Sequence, residues 1–207
     1  MIAVLDIGIG DTESVERALR KVGGLVEVTS DPDKLRNANG LVVPGVGAVG
    51  PFMSALKVVR GDRIIERRLA GGRPVLGICA GLQIMFDRTT EDGGAEGLAQ
   101  WPGVVDRLPV DGVAHVGWSA VEAPEGSTLF NGVEDQRFYF AHSFAVQTDP
   151  AAELTEELFE QPLVSFAEHG TRFVAAVENG PLTATQFHPE KSADAGLELL
   201  RNWLGSI

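Results

Sequence analysis

The sequence predicts an α/β fold: a central, mostly parallel sheet with helices on both faces, with additional antiparallel strands in its second half. Three observations predict it. Short apolar runs alternate with helical stretches through the first half, the pattern of parallel strands joined by crossover helices. From about Trp101 the period changes to strand after strand, punctuated by turns. The 207 residues, 44% of them hydrophobic, suffice for one core without disulfide or metal staples, so residues 1–207 are expected to form a single domain.

Ile2–Leu5 is an apolar run ending in Asp-Ile-Gly-Ile-Gly, a strand entering a tight loop. Thr12–Val22 places Val15, Ala18, Leu19 and Val22 at helical spacing, and Gly23-Gly24 stops it. Leu25–Thr29 resumes as a strand, and Leu41–Val43 is a third. Asn37–Leu56 is uncharged, the one stretch that a membrane span could claim. Its four Gly, two Pro and two Asn make it a strand plus a loop instead. Gly61–Leu69 is helical with Ile64, Ile65 and Leu69 inward, Pro74–Ile78 is a buried strand, and Gly81–Phe86 turns back into helix. In the second half Val104–Leu108, Val116–Val121, Phe138–Val146, Leu163–Ala167, Phe173–Glu178 and Thr183–Phe187 look like strands, with Asn179-Gly180 as a hairpin turn. Ala193–Leu204 closes the chain as a helix with Leu197, Leu200 and Leu204 on one face. Asp149–Glu160 carries five acidic residues and no basic one, which suits a solvated surface segment.

Lys plus Arg number 17 and Asp plus Glu 29, a net charge of −12. That balance argues against a broad nucleic-acid surface or attraction to an anionic membrane. One cysteine, Cys79, excludes an internal disulfide framework and a multi-cysteine zinc site, and fits a reducing cytoplasm. Met1 runs into a strand-like segment without a basic leader, so a cytoplasmic location is expected. The four histidines show no H-x-x-x-H spacing, and no metal is expected.

The sharpest motif is Gly77-Ile78-Cys79-Ala80-Gly81, after one strand and before a helix: G-x-C-x-G, the thiol form of a nucleophile elbow. A tight strand-to-helix turn strains the nucleophile's backbone, and its glycines let neighbouring elements close in. The turn sets the sulfur at the carboxyl end of the sheet and at a helix N-terminus, which favours a thiolate. The competing reading is a buried, inert thiol. In Gln186-Phe187-His188-Pro189-Glu190-Lys191, His188 and Glu190 lie two apart at a strand end and so project to one side. That suits a base and the carboxylate that orients it; alone, it is equally a surface turn. Together these residues form a candidate Cys79–His188–Glu190 triad.

Residues 45–50 match G-x-G-x-x-G, a dinucleotide fingerprint, but they follow the third strand and are led by Pro44. The better reading is an oxyanion loop. Attack on a carbonyl calls for two amide donors, one from Ala80 and one from a neighbouring glycine-rich loop. His115, His142 and His169 are read as structural.

Gly77-Ile78-Cys79-Ala80-Gly81-Leu82-Gln83 together with Phe187–Lys191 closely resembles the class I, triad-type glutamine amidotransferases. Pro44-Gly45-Val46-Gly47, D-x-G-x-G at 6–10, H-x-G-W at 115–118 and F-Y-F-x-H-S at 138–143 narrow the resemblance to the glutaminase subunits of imidazole glycerol phosphate synthases, over essentially the whole chain. It implies the flavodoxin-like fold of that class. It also implies that the Cys79 thiolate attacks the side-chain amide of L-glutamine, with the oxyanion held by backbone N–H groups of Ala80 and of Gly45, Val46 and Gly47. His188, oriented by Glu190, would protonate the leaving ammonia and then activate water. Gln83 and His142-Ser143-Phe144 would hold the glutamine. The ammonia would pass to a cyclase subunit, a (β/α)8 barrel, in a heterodimer of histidine biosynthesis. Asp11, Glu13, Trp118, Ser119, Tyr139 and Lys191 would face that partner, and no cofactor is implied.

The chain departs from the family pattern at Ile7, usually Tyr; at Asp11-Thr12-Glu13-Ser14, usually Asn-Leu-Arg-Ser; at Ala80, usually larger; and at Ser119, usually Asn. Glu13 reverses a charge in a segment expected at the interface. Two other readings stay open: an amidotransferase serving another synthase, and a stand-alone elbow-cysteine protein such as a redox sensor, chaperone-like relative or peptidase.

Overall fold

The computed structural model describes residues 1–110, 112–154 and 161–207. Strand β1 (Ile2–Leu5) leads to helix α1 (Thr12–Lys21), whose N-terminus is capped by Asp11 accepting from Ser14 N–H at 3.1 Å. β2 (Val26–Thr29) is followed by a helix that periodicity misses, α2 (Pro32–Asn37). Its signal is chemical. Asp31 accepts from Asp33 and Lys34 N–H at 2.8 and 3.3 Å, and Pro32 stands at the first helical position. After β3 (Gly40–Gly45), the expected loop is helix α3 (Val49–Val58), a correction with a clear cause. Val49, Phe52, Met53 and Leu56 form one buried stripe, and Pro51 falls in the first turn, where its missing N–H is harmless.

Helix α4 (Gly61–Ala70) buries Ile64 and Ile65 as expected, but Leu69 is only half-buried and Arg68 is the residue that turns inward. β4 (Val75–Cys79) ends at the elbow. The helix expected at Gly81–Phe86 is a single turn, α5 (Ala80–Gln83), because Phe86 must extend to pair with Trp101. The chain continues through β5 (Phe86–Thr89), β6 (Ala95–Glu96), β7 (Trp101–Arg107), β8 (His115–Ala120), β9 (Arg137–His142) and β10 (Phe144–Val146). The strand expected at Phe138–Val146 is thus two strands, broken at Ser143 and belonging to different sheets. Asp149 caps α6 (Pro150–Glu153), and the acidic segment's residues 155–160 lie outside the described residues. β11 (Leu163–Glu168), β12 (Arg172–Asn179), β13 (Leu182–Thr185) and α7 (Ala193–Gly205) complete the chain. The α7 face that packs is Gly196, Leu199, Leu200 and Trp203; Leu197 and Leu204 are only half-buried.

The seven-stranded sheet runs β11-β12-β13-β4-β3-β1-β2, parallel from β13 to β2, with an antiparallel hairpin edge. A four-stranded sheet (β10-β7-β5-β6) and the β8–β9 ribbon lie beside it. Alternation along the central strands divides the core. Ala3, Leu5, Leu41, Val43 and Val75 pack with α3 and α4, while Ile2, Val4, Val42, Leu76 and Ile78 pack with α1 and α7. Burial on both faces is what makes these strands continuously apolar.

Candidate active site

Cys79 is the last residue of β4 and is almost fully buried. Its backbone, φ 56° and ψ −106°, lies where side chains are rarely tolerated, a strain of about 1–3 kcal/mol. The flanking glycines explain how the turn is held. A Cβ on Gly81 would come within 2.0 Å of the Val43 carbonyl oxygen, and one on Gly77 within 2.4 Å of the Gly81 carbonyl oxygen. Neither contact is possible for any other residue, so both positions require glycine. α5, with four residues, supplies less macrodipole than the longer helix expected at this place.

Register puts the other groups on the two strands beside the nucleophile. Gly45, the last residue of β3, is paired with Cys79. It is buried against Phe52, Ala80 and Gly81, while Val46 and Gly47 are exposed and Gly47 has φ +79°. A Cβ on Gly45 would stand 2.8 Å from the Ala80 Cβ, so the small Ala80 fits this cradle. On the other side, β13 pairs Thr185 with Ile78, and His188 follows three residues later. His188 Nδ1 lies 2.7 Å from Glu190 Oε1, with both side chains buried. Glu190 sits in a 3-10 turn, not on a strand, so the same-side projection arises from the turn that Pro189 opens. The His188 backbone is held at both ends. Its N–H donates to the Tyr139 carbonyl at 2.9 Å, and its carbonyl accepts from Ser192 Oγ–H at 2.7 Å.

Burial alone would disfavour a charged His188. Hydrogen bonding to Cys79 and Glu190, and the negative charge of both, outweigh it and hold the imidazole well above its usual 6.5. A thiolate–imidazolium pair is the form in which this site can attack a carbonyl and then protonate a leaving amine.

Gln186, buried and two residues before His188, donates from Nε2 toward Cys79 Sγ at 3.6 Å and accepts from Gln83 Nε2 at 3.1 Å. Gln83 also donates to the Phe144 carbonyl at 2.8 Å. Cys79, Gln186, Gln83 and Phe144 are therefore one connected group. Sequence reasoning quoted Gln186 without giving it a role, although an i−2 position on the same strand face as the base was a usable signal. It also missed Ser192, which accepts from Tyr139 N–H at 2.9 Å and ties β9 to the His188 turn.

The residues expected at a partner surface divide. Trp118 is 45% exposed and meets Tyr139 edge-on at 6.1 Å between ring centroids. Glu13 is exposed on the first turn of α1. Asp11 and Lys191 are paired with each other, Nζ to Oδ2 3.3 Å, and Ser119 is bonded to His115. His142, Ser143 and Phe144 span the break between β9 and β10. Among the described residues no group of three or more His, Cys, Asp or Glu is placed to hold a metal ion, and no helix is long and apolar enough to cross a membrane.

Residues 3–206 match the family described as "Glutamine amidotransferase class-I". The chain belongs to the class-I glutamine amidotransferases. Among curated relatives in this family, it is 57% identical over 207 residues to the imidazole glycerol phosphate synthase subunit HisH of Leifsonia xyli subsp. xyli, covering 100% of this chain and 98% of the relative. It is 56% identical over 208 residues to the protein of the same name from Nocardia farcinica, with the same coverage. Solved structures share the fold at low identity. A crystal structure of glutamine amidotransferase has a TM-score of 0.73 at 19% identity, covering 100% of this chain and 99% of that one. The structure of PurLQS from Thermotoga maritima has a TM-score of 0.71 at 17% identity, covering 99% and 97%. The class-I amidotransferase assignment makes this an enzyme of glutamine amide chemistry.

Proposed function

We propose that this chain is the glutaminase subunit of an imidazole glycerol phosphate synthase, with Cys79, His188 and Glu190 as its catalytic triad. One observation carries the chemistry: a strained Cys79 stands between the Gly45 end of β3 and the paired His188 and Glu190 in the turn that follows β13. The full-length similarity to HisH subunits supports the choice of synthase.

The thiolate adds to the side-chain amide carbon of glutamine, and the charge on oxygen is met by backbone N–H groups of Ala80 and the Gly45–Gly47 loop. Imidazolium at His188 gives its proton to the departing nitrogen, so ammonia leaves and a thioester remains. Neutral His188 then removes a proton from water, hydroxide attacks the thioester, and Cys79 departs as thiolate from glutamate. Glu190 keeps the His188 ring oriented through Nδ1. Gln83 and His142-Ser143-Phe144 hold the substrate beside the thiol. Gly47 gives the oxyanion loop a joint that reorients its N–H donors at little cost, so the isolated subunit is expected to turn over slowly until a liganded partner sets the loop.

The partner is a cyclase, read as a (β/α)8 barrel, which accepts the ammonia; both chains act in the cytoplasm. Trp118, Tyr139, Ser119, Glu13, Asp11 and Lys191 face it. Because Asp11 and Lys191 are already paired, docking exchanges or extends that ion pair. The test is glutamate release from glutamine, measured with the chain alone and with its cyclase plus the phosphoribulosyl ligand. Strong stimulation by the liganded cyclase is expected. Turnover without stimulation would instead assign a different synthase, the reading that Glu13 and the other departures favour.

A further inference from the structure

Outside the triad, four polar groups form one continuous line. The Phe144 carbonyl accepts two hydrogen bonds, from Gln83 Nε2–H at 2.8 Å and from His142 Nδ1–H at 3.0 Å. A carbonyl only accepts, so His142 carries its proton on Nδ1. Burial above all, with His188 and two further imidazoles close by, lowers His142 to about 3, so the ring is neutral and its Nε2 accepts. The group 3.1 Å from that Nε2 is His115 Nδ1, which must then be the donor. His115 is lowered to about 4 by burial and by His169, so its own Nε2 accepts from Ser119 Oγ–H at 2.8 Å. Each link dictates the next tautomer.

The rings cannot turn away from these bonds cheaply. His115 is clamped between Phe140, stacked at 4.7 Å and 22°, and His169, stacked at 4.5 Å and 14°. Phe173 sets its edge against both His115 and His142. A proton wire is a poor reading of this line, because it ends on a carbonyl and its imidazoles are weak bases. What it does well is hold position. One end is the strand break at which Gln83, and through it Gln186 and Cys79, is anchored. The other end is on β8, whose Val116 and Trp118 are exposed.

We propose that His142, His115 and Ser119 are positioning residues for the glutamine site: their hydrogen-bonded line fixes the Phe144 carbonyl against Gln83 and ties the Cys79 pocket to the β8 surface. This rests on the reading of glutamine as the substrate held beside Phe144. Ser119 supplies the one property the line needs there, a donor to His115 Nε2.

The test uses the complex with its cyclase. Ser119→Ala removes one hydrogen bond, and KM for glutamine is expected to rise about five-fold with kcat within about two-fold. Ser119→Asn restores a donor and brings KM back. Independently of activity, nitrogen-15 NMR of the imidazoles is expected to show His142 and His115 both neutral and both protonated on Nδ1 from about pH 5.5 to 8, with His115 losing that single tautomer in Ser119→Ala. An unchanged KM in Ser119→Ala, or Nε2 protonation of either ring in the wild type, overturns the proposal. Absence of glutamine turnover in the wild-type complex overturns the substrate reading instead, and the tautomers then decide whether the line exists.

Discussion

At the carboxyl end of the central sheet, the buried ionisable groups face one another: His188 against Glu190, with Cys79 beside them on a strained backbone. At the amino end of β3 and β4 a guanidinium is buried instead, and it faces only the backbone. Arg68, 1% exposed, donates to the carbonyls of Leu35, Arg36, Ala38, Asn39 and Pro74 at 2.9–3.2 Å. Burial and the nearby Arg73 lower it to about 10, so it stays charged at neutral pH. Its partners include the last carbonyls of α2, which carry the negative end of that helix. Carbonyls neither titrate nor swing, so this charge is locked in place and joins α2, α4 and the sheet. Side-chain partners trade protons, whereas each buried charge leaves one atom without a hydrogen bond among the described residues, Nε of Arg68 and Oε2 of Glu190. Buried charge is glue when the backbone satisfies it and reactive when side chains do.

The most severe break of that comparison is Cys79→Ala. Glutamate release by the complex is expected to fall at least about a thousand-fold while thermal stability changes by less than about 1 kcal/mol. Near-normal turnover would remove Cys79 from the mechanism. Arg68→Ala is the converse. Five carbonyls lose their donor and a buried volume empties, at a cost of about 3–5 kcal/mol, which is a drop of about 10 °C in Tm for a chain of this size. Turnover per folded molecule is expected to be unchanged; a selective loss of activity at full stability would contradict the division of labour.

A subtler separation uses acid. His115 and His142 have folded values of about 4 and about 3, below the unfolded 6.5. Unfolding below pH 6.5 therefore takes up about two protons. The stability these rings contribute is present above pH 6.5 and is lost as pH falls toward 4 and then 3. Denaturant midpoints measured from pH 7 to 4 should trace this, and His115→Phe should flatten the slope by about one proton. The smallest effect is expected of Asp11→Asn. Asparagine caps α1 as well as aspartate does, and the half-exposed pair with Lys191 contributes less than about 1 kcal/mol, so Tm should move by no more than about 3 °C.

The nucleophile was legible because its requirements are local: an apolar strand, two glycines that neighbouring backbone crowds, and a cysteine between them. His188 and Glu190 were legible for the same reason, although the turn that joins them was not. Contacts made by register between distant strands were invisible. His115 and His142 face each other because β8 pairs with β9, and nothing near either residue announces it. Phe138–Val146 reads as one strand because Ser143 is a weak break signal; which sheet each half joins is decided by partners elsewhere in the chain. α2 and α3 were lost differently. The first is too short for a period to emerge, and the second is disguised by a glycine and a proline in its first turn, where both are tolerated.

Three reacting parts end three neighbouring strands: the oxyanion loop on β3, the thiol on β4, and the base after β13. The gauge between them is the backbone ladder itself, about 4.8 Å from strand to strand. Loops elsewhere have no say in it. The surface segment 11–14 is accordingly free to be rewritten to suit a changing neighbour without moving any of the three.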